Sequence, residues 1–395
     1  MSLVIKDGMV FLKDCFKEKD ILIEDGIIAD IGSNLRADES IKAKGMLVLP
    51  GLIDPHVHLR EPGDSYKEDF FTGGRAAIAG GFTTVIDMPN NSVPTTTKER
   101  LDEKKKLAEK ALCDILFHFG GTDDNFDEVR KADPPSLKLY LGKSTGELML
   151  KDPASLQRHF ENFPSDRPII LHACGESADP ETNLKETYER TENAVNLAIS
   201  MKRRIHLAHA STEREVLAVK KCKTCTVEVT PHHLLLSSKN SKHLGIYSTV
   251  YPPLRSEQKR LYLWKTLEMV DCMGSDHAPH TIEDKEEGAA GFPGLDTSLA
   301  LMFNACGEGF LDKIWVVQRM SRNVAEIFNI PKKGKLEKGF TADVAIVDPK
   351  KEWKIEGPEL YTKCKWSPFD GKIVKGKVKT VLKDGKVVYD DFSFV

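Results

Sequence analysis

The sequence has little excess charge of either sign and no long apolar run. Among its 395 residues, 57 Lys and Arg stand against 60 Asp and Glu, a formal net charge of −3. Such a balance argues against binding nucleic acid or an anionic membrane through bulk charge. No apolar stretch reaches the roughly 18 residues that a spanning helix needs, and the first ten residues lack the apolar core of a secretory signal. We therefore expect a soluble, cytoplasmic protein that binds neither nucleic acid nor membrane.

Cysteine is also scarce, and the 8 present are too few for a disulfide scaffold. Cys222 and Cys225 form one CxxC pair with no second pair nearby. A surface turn with a half-buried thiol is therefore favoured over a zinc knuckle or a redox pair. Histidine is more informative, because many of the 12 histidines follow short apolar runs. These are His56, His58, His172, His209, His232, His277 and His280.

The two chain ends share a short pattern in which Asp-Gly interrupts apolar residues. It occurs at Val4–Val10, Leu22–Ile28 and Leu382–Val388. Asp-Gly between alternating apolar residues predicts a β-hairpin, because a type I′ turn needs positive φ at both central positions. Neither end has enough strands for its own sheet. We therefore expect residues 1–48 and 335–395 to fold together as a small β-sandwich-like domain.

The middle of the chain, about 49–334, alternates short apolar strands with segments long enough for helices. The predicted strands are Leu47–Asp54, Thr84–Met88, Ile115–Phe119, Leu137–Leu141, Pro168–Leu171, Arg204–Ala208, Thr226–Val229 and Cys272–Gly274. Strand–helix alternation implies parallel crossovers, and eight such units indicate an α/β protein with a (β/α)8 TIM barrel.

Polar side chains follow these strands one after another. In chain order they are His56, His58, Asn90, Gly121, Thr122, Lys138, His172, His209, Glu228, His232 and Asp276. Active sites of such barrels lie at the carboxyl ends of the strands, so these residues are expected to converge.

Several of the converging residues are metal ligands by type. His56 and His58 are two residues apart at a strand end, so both rings point to one face. Later strands add His172, His209 and Asp276. Neutral imidazole and carboxylate suit Zn²⁺, and five ligands exceed what one open tetrahedral site requires. Two metal ions are therefore the natural count.

Lys138 is the candidate for a bridge between two such ions. Burial and nearby dications both lower the pKa of an ammonium, which leaves a neutral amine able to react with CO₂. The resulting carbamate has one oxygen for each ion. The alternative is a lysine that reaches out to solvent at the barrel rim.

Together these segments resemble the amidohydrolase superfamily of metal-dependent barrels and, within it, the dihydroorotases of pyrimidine biosynthesis. The resemblance rests on Pro50–Gly63, Asp87–Asn90, Leu137–Leu141, His172, His206–Ser211, Val229–His233, Ser275–His280 and Phe292–Leu295. It implies that His56 and His58 bind one zinc, His172 and His209 the other, and carboxylated Lys138 bridges them. Asp276 would bind the first zinc and shuttle the proton. Some relatives bind an additional metal through a cysteine, where this chain has Ala208.

Substrate recognition is predicted from residues beside the ligands. Arg60 lies two residues after His58, so strand alternation is expected to point it to the same side as the ligands. A guanidinium there can hold a planar carboxylate bidentately. Asn90 and His280 could add donors. In the resembled family these three residues hold the substrate's carboxylate. The alternatives are a rim arginine paired with Glu61 or Asp64, and a solvated His280.

Two loops complete the predicted site. Gly288–Leu295 is rich in Gly and Pro. The resemblance implies that its backbone, at Pro293 and Gly294, forms hydrogen bonds with the amide groups of the substrate ring. Gly142–Leu148 follows Lys138, and there Ser144 or Thr145 could act in a catalytic loop. The alternative for this second loop is an exposed connection.

The resemblance implies a cyclic amide hydrolase: a dihydroorotase that cyclises N-carbamoyl-L-aspartate reversibly to L-dihydroorotate with two Zn²⁺ per subunit. An allantoinase or hydantoinase is the alternative enzyme. A non-catalytic scaffold is disfavoured because every expected ligand position is filled. The partner is a small-molecule substrate, and a homo-oligomer or association with the preceding pathway enzyme stays open.

Overall fold

The computed structural model describes residues 2–144 and 148–395. Its strands are, in chain order, β1 (Ser2–Leu12), β2 (Cys15–Glu24), β3 (Ile27–Gly32), β4 (Glu39–Lys42), β5 (Leu47–Pro50), β6 (Leu52–Val57), β7 (Phe82–Asp87), β8 (Asp114–Phe117), β9 (Phe119–Gly120), β10 (Leu137–Tyr140), β11 (Ile169–His172), β12 (Ile205–Leu207), β13 (Thr226–Val229), β14 (Cys272–Met273), β15 (Val344–Lys354), β16 (Ile373–Lys383), β17 (Lys386–Asp390) and β18 (Ser393–Phe394).

Helices occupy most of the connections between the central strands. They are α1 (Phe70–Ala79), α2 (Lys98–Ala108), α3 (Phe126–Ala132), α4 (Ser155–Asn162), α5 (Pro180–Ser200), α6 (Glu213–Val219), α7 (Pro231–Leu235), α8 (Ser238–Leu244), α9 (Glu257–Lys265), α10 (Ile282–Glu286), α11 (Ser298–Gly307), α12 (Lys313–Arg319) and α13 (Arg322–Ile327). Across 2–144 and 148–395, no helix is both long and apolar enough to cross a membrane.

Strands from both chain ends form one mixed sheet, as predicted. Its order is β18-β17-β16-β15-β5-β1-β2-β3, with β4 paired to β1. The antiparallel pair of β15 with β5 joins the two ends of the chain. Buried Val10, Val48, Ile346 and Leu382 belong to one apolar cluster under this sheet. The chain ends are therefore held together by a shared ladder and a shared core.

Two of the three predicted Asp-Gly hairpins form, and the third does not. Asp25-Gly26 and Asp384-Gly385 have positive φ at both residues and join paired antiparallel strands. Asp7-Gly8 instead lies inside β1, at a shift in its register with β2. A Cβ on Gly8 would lie 2.4 Å from Cγ2 of Val48. This glycine therefore permits a close approach to β5 rather than a turn, which local sequence does not reveal.

The central strands form a parallel barrel. One sheet runs β6-β7-β8 and the other β9 to β14 in sequence order. The two sheets meet at two places. The amide of His118, between β8 and β9, donates to the carbonyl of Asp87 at the end of β7. The amide of His58, just after β6, donates to the carbonyl of His277, which follows β14, at 2.7 Å and so closes the barrel. With β8 and β9 as one interrupted strand, the predicted (β/α)8 barrel is confirmed.

The first predicted barrel strand, Leu47–Asp54, is two strands. Residues 47–50 pair with β1 and β15, and the barrel strand begins at Leu52. The change of sheet occurs at Gly51, where a Cβ would lie 2.2 Å from Oγ1 of Thr83. A continuous apolar run cannot reveal such a change, because both halves are buried.

The CxxC segment differs from its sequence interpretation. Cys222 and Cys225 are 6% and 3% exposed and are joined as a disulfide, with Cα atoms 5.3 Å apart. Both belong to the main apolar cluster of the barrel. The interpretation as a surface turn with a half-buried thiol is wrong, since the turn after α6 packs against the core.

Candidate metal centre

Three ligating side chains converge where β6 ends. Oδ1 of Asp276 lies 3.3 Å from Nε2 of His56 and 3.1 Å from Nε2 of His58. The parallel bridge between Val57 and His277 brings the two segments together. Burial lowers the pKa of both imidazoles, which favours the neutral form that binds metal. Burial also raises the pKa of Asp276, to about 6.

Three residues of this region have left-handed backbone. The φ angles are 63° at Arg60, 39° at His209 and 48° at Asp276. Non-glycine residues adopt this region rarely, and where they do so the surrounding structure has to hold them. Arg60 therefore reaches the cleft through a turn after β6, rather than through continued strand alternation as the sequence suggested.

His172 and His209 form a second group next to the first. Nδ1 of His172 lies 2.8 Å from Nε2 of His209, and the ring centroids of His209 and His56 are 5.1 Å apart. Nε2 of His172 also lies 2.7 Å from the Lys143 carbonyl. Nδ1 of His209 is buried with no hydrogen-bond partner in the part of the chain that the structure describes. The two pairs of histidines are therefore neighbours, as the sequence predicted.

Lys138 projects from β10 into the interior and is 0% exposed. No hydrogen-bond partner among the described residues reaches its Nζ, which lies 5.2 Å from the centroid of the Tyr140 ring. Burial lowers the pKa of Lys138 to about 8, so a fraction of the amine is neutral near pH 7. The alternative of a lysine reaching solvent at the rim is wrong.

Glu228 connects the two groups of histidines, a role that its place in the sequence does not reveal. Its Oε1 lies 2.8 Å from Nδ1 of His56 and accepts from the amide of His209 at 3.1 Å. Its Oε2 lies 3.4 Å from Nε2 of His206. Burial alone would raise the pKa of this carboxyl, but His56 and His206 hold it below its usual value. His206, Glu228 and Cys272 also form a second group of close ligating atoms.

The predicted substrate side chains lie beside the ligands. Arg60 is 4% exposed, donates from Nε to the Pro279 carbonyl at 3.0 Å, and has Nη2 2.9 Å from Nε2 of His280. Oδ1 of Asn90 lies 2.8 Å from Nδ1 of His58. His280 is 1% exposed, so its interpretation as a solvated histidine is wrong.

The two loops fit the sequence predictions only in part. Ser144 lines the cleft, and Thr145 lies outside the described residues. From the glycine-rich loop, Ala290 and Gly291 line the cleft. The amide of Gly294 instead donates to Nδ1 of His277 at 3.1 Å, so substrate contact by Pro293 and Gly294 stays a prediction.

One cleft contains most of the predicted side chains, though not His280, Pro293 or Gly294, and several that the sequence did not single out. Its lining is His56, His58, Arg60, Asn90, Lys138, Tyr140, Ser144, His172, His209, Val250, Tyr251, Asp276, Ala278, Ala290 and Gly291. The donor set fits metal ions, because it combines neutral imidazoles, a carboxylate and a buried amine with no hydrogen-bond partner among the described residues.

Residues 47–388 match the amidohydrolase family model. The chain belongs to the amidohydrolase family. A dihydroorotase of Pyrococcus horikoshii is 40% identical over 404 residues, which cover 98% of this chain and 93% of that protein. An L-hydantoinase from Arthrobacter aurescens matches with a TM-score of 0.93 and 28% identity, covering 100% of this chain and 97% of that one.

Part of a longer protein is also similar. A multifunctional protein named CAD from Squalus acanthias is 34% identical over 363 residues, which cover 89% of this chain and 15% of that protein. These matches confirm the family and the class of cyclic amide hydrolase predicted from the sequence. Amidohydrolases typically depend on metal, and the cluster at His56, His58 and Asp276 is a candidate metal site of this one.

Proposed function

We propose that the protein is a zinc-dependent dihydroorotase, which interconverts N-carbamoyl-L-aspartate and L-dihydroorotate in de novo pyrimidine biosynthesis. The observation that carries the proposal is Arg60, whose buried guanidinium lines the cleft of the candidate metal centre. Both molecules carry a carboxylate that a guanidinium can bind bidentately. The relatives named dihydroorotase, 37–40% identical over most of the chain, support it.

For the metal centre, we propose two Zn²⁺ ions. His56, His58 and Asp276 would hold the first, since their ligating atoms already lie within 4.8 Å of one another. His172 and His209 would hold the second, through Nδ1 and Nε2, which already lie 2.8 Å apart, while Nε2 of His172 donates to the Lys143 carbonyl and fixes its ring. Metal analysis of the purified protein tests the count: we expect two zinc ions per chain, and one or fewer would contradict the proposal.

Carboxylated Lys138 is proposed as the bridge. A neutral amine adds to CO₂ and loses a proton, which gives an anionic carbamate with two oxygens. The dry surroundings and the lowered pKa of Lys138 support this, because they increase the neutral fraction. Replacing Lys138 with Met should reduce the zinc content, and added bicarbonate should not restore it.

The metal ions would supply a water of lowered pKa and polarise the scissile carbonyl. Asp276 would act as general base and then general acid: it would take a proton from the attacking water as the water oxygen bonds to the ring amide carbon, and would return it to the ring nitrogen as the carbon–nitrogen bond breaks. Arg60, Asn90 and His280 would hold the substrate carboxylate, which fixes the ring with its amide carbon towards Asp276.

A comparison of three cyclic substrates distinguishes the proposed dihydroorotase from the alternative, an allantoinase or hydantoinase. The structural similarity to L-hydantoinase favours that alternative, and the buried Arg60 argues against it. Dihydroorotate, allantoin and hydantoin should be offered to one zinc-loaded preparation. We expect dihydroorotate to be hydrolysed with the highest kcat/KM. Faster turnover of allantoin or hydantoin would replace the proposal by the alternative.

The proposed partners are a second copy of the chain or the enzyme that supplies its substrate. The CAD relative supports association, since the matched segment is 15% of a protein described as multifunctional. Light scattering, alone and with the preceding enzyme, tests both. A monomer that binds no such enzyme would contradict the proposal.

We propose two domains: a β-domain formed by residues 1–48 together with 335–395, and a barrel formed by residues 49–334. Support comes from the nine-stranded sheet, which combines strands from both chain ends. Within it, β5 crosses the proposed boundary by two residues, because Leu47–Pro50 pairs with β1 and β15. Limited proteolysis should cut first near these boundaries and leave the two end fragments associated.

A further inference from the structure

Lys285 is a buried cation that the proposed chemistry does not use. It lies on α10, is 1% exposed, and has its Nζ 5.6 Å from the ring centroids of both Phe292 and Trp366. Burial lowers its pKa to about 8, so the ammonium predominates at neutral pH. A buried lysine needs compensating partners, and here they are backbone carbonyls.

Three carbonyls surround the ammonium. Nζ donates to the carbonyls of Thr249 at 2.8 Å, Ala289 at 2.7 Å and Gly291 at 3.3 Å. An ammonium has three donors, so these acceptors match its capacity. The amide of Gly291 also donates to the Thr249 carbonyl at 3.0 Å. Two segments distant in sequence are thereby joined at one side chain.

Both segments form part of the wall of the cleft. Val250 and Tyr251, which follow Thr249, line it, and so do Ala290 and Gly291. The Ala290 carbonyl lies 3.1 Å from Nε2 of His280, the atom that contacts Arg60. The position of this wall relative to the guanidinium therefore depends on the contacts of Lys285.

We propose that Lys285 is a positioning residue, which holds 249–251 and 289–291 together as one wall of the substrate cleft and so determines the affinity for the ring. The inference rests on the proposed function, because the ring is the substrate that this wall faces. Lys285 does not touch the reacting atoms, and its effect is on substrate binding more than on the chemical step. Without the ammonium, the carbonyls would lose their shared donor and the two segments would separate.

Lys285→Met tests the inference, since methionine keeps much of the side-chain length and has no donor. We expect KM for dihydroorotate to rise about tenfold or more while kcat falls less than threefold, because displaced binding groups weaken orientation. Zinc content and far-UV circular dichroism should match those of the unmutated protein. Lys285→Arg, which keeps charge and donors, should restore part of the affinity. Lys242→Met, at an exposed lysine on α8, is the matched control.

Hydrogen exchange at the Gly291 amide gives a readout that needs no substrate. We expect faster exchange there in Lys285→Met and no change in Lys242→Met. Unchanged KM together with unchanged exchange would overturn the inference. If Lys285→Met does not fold, Lys285→Leu, which also lacks a donor, carries the same comparison with the same two outcomes. An unmutated protein that fails to hydrolyse dihydroorotate contradicts the proposed function, and the exchange comparison still decides whether Lys285 holds the wall.

Discussion

Replacing Glu228 should weaken metal binding without removing a proposed ligand. Its carboxylate lies 2.8 Å from Nδ1 of His56 and accepts from the His209 amide at 3.1 Å. A carboxylate behind a ligating imidazole fixes the tautomer and orientation of the ring and increases its basicity. Glu228→Gln removes the charge and presents an NH₂ group to one of these neighbours.

The size of the effect follows from the partners lost. Removing such a partner typically costs about 10- to 100-fold in metal affinity, and tenfold corresponds to about 1.4 kcal/mol. Because Glu228 contacts one proposed ligand of each ion, we expect the upper part of this range. Chelator competition at pH 7.5, with zinc measured per chain, gives the affinity directly.

Glu215→Gln is the matched control for this experiment. Glu215 is also a buried carboxylate in the barrel, and it accepts from the amide and hydroxyl of Ser211 and from the hydroxyl of Thr212. Its loss should lower stability and leave zinc affinity unchanged. Zinc affinity within twofold of the unmutated value in Glu228→Gln would refute the role given to this carboxylate.

Asp276→Ala should lower kcat by about 10²- to 10⁴-fold in steady-state assays, and more than a tenth of the activity with zinc bound would rule out its proton-transfer role. Lys104→Met should lower the free energy of unfolding, measured in urea, by about 3–5 kcal/mol, because it leaves the buried carboxylate of Asp87 without its ion-pair partner. The control is Lys105→Met, at an exposed lysine of the same helix. An effect of Lys104→Met no larger than that of the control would contradict this prediction. Burial lowers the pKa of His233 to about 4, below the roughly 6.5 of an unfolded chain, so its contribution is complete above pH 6.5 and is lost as the pH falls towards 4. His233→Gln should therefore reduce the pH dependence of unfolding between pH 6 and 5 by about 1 kcal/mol per unit, and an unchanged dependence would contradict it.

The fold was predictable wherever local pattern and global arrangement agree. Asp25-Gly26 turns as its type I′ signature requires, and strand–helix alternation identified the barrel. Asp7-Gly8 carries the same dipeptide but lies inside β1, where a side chain on Gly8 would clash with Val48. At Gly51, where the first predicted strand divides, a side chain would clash with Thr83, which is distant in sequence.

For the candidate site, residue type and spacing predicted which side chains meet but not what supports them. His56 and His58 converge because strand residues two apart share a face. The partnership of Glu228 with His56 crosses the barrel between residues 172 apart, so no local spacing encodes it. The contacts of Lys285 are with backbone carbonyls, which have no signature in the sequence at all.

The comparison of L-dihydroorotate with 5,6-dihydrouracil tests the central claim most directly. The two rings differ only in the carboxylate that Arg60 is proposed to bind. A site built to bind such a group rejects the analogue that lacks it, so we expect kcat/KM on the zinc-loaded protein to favour dihydroorotate by roughly 10³-fold or more. Equal or faster hydrolysis of dihydrouracil would contradict the proposed dihydroorotase function.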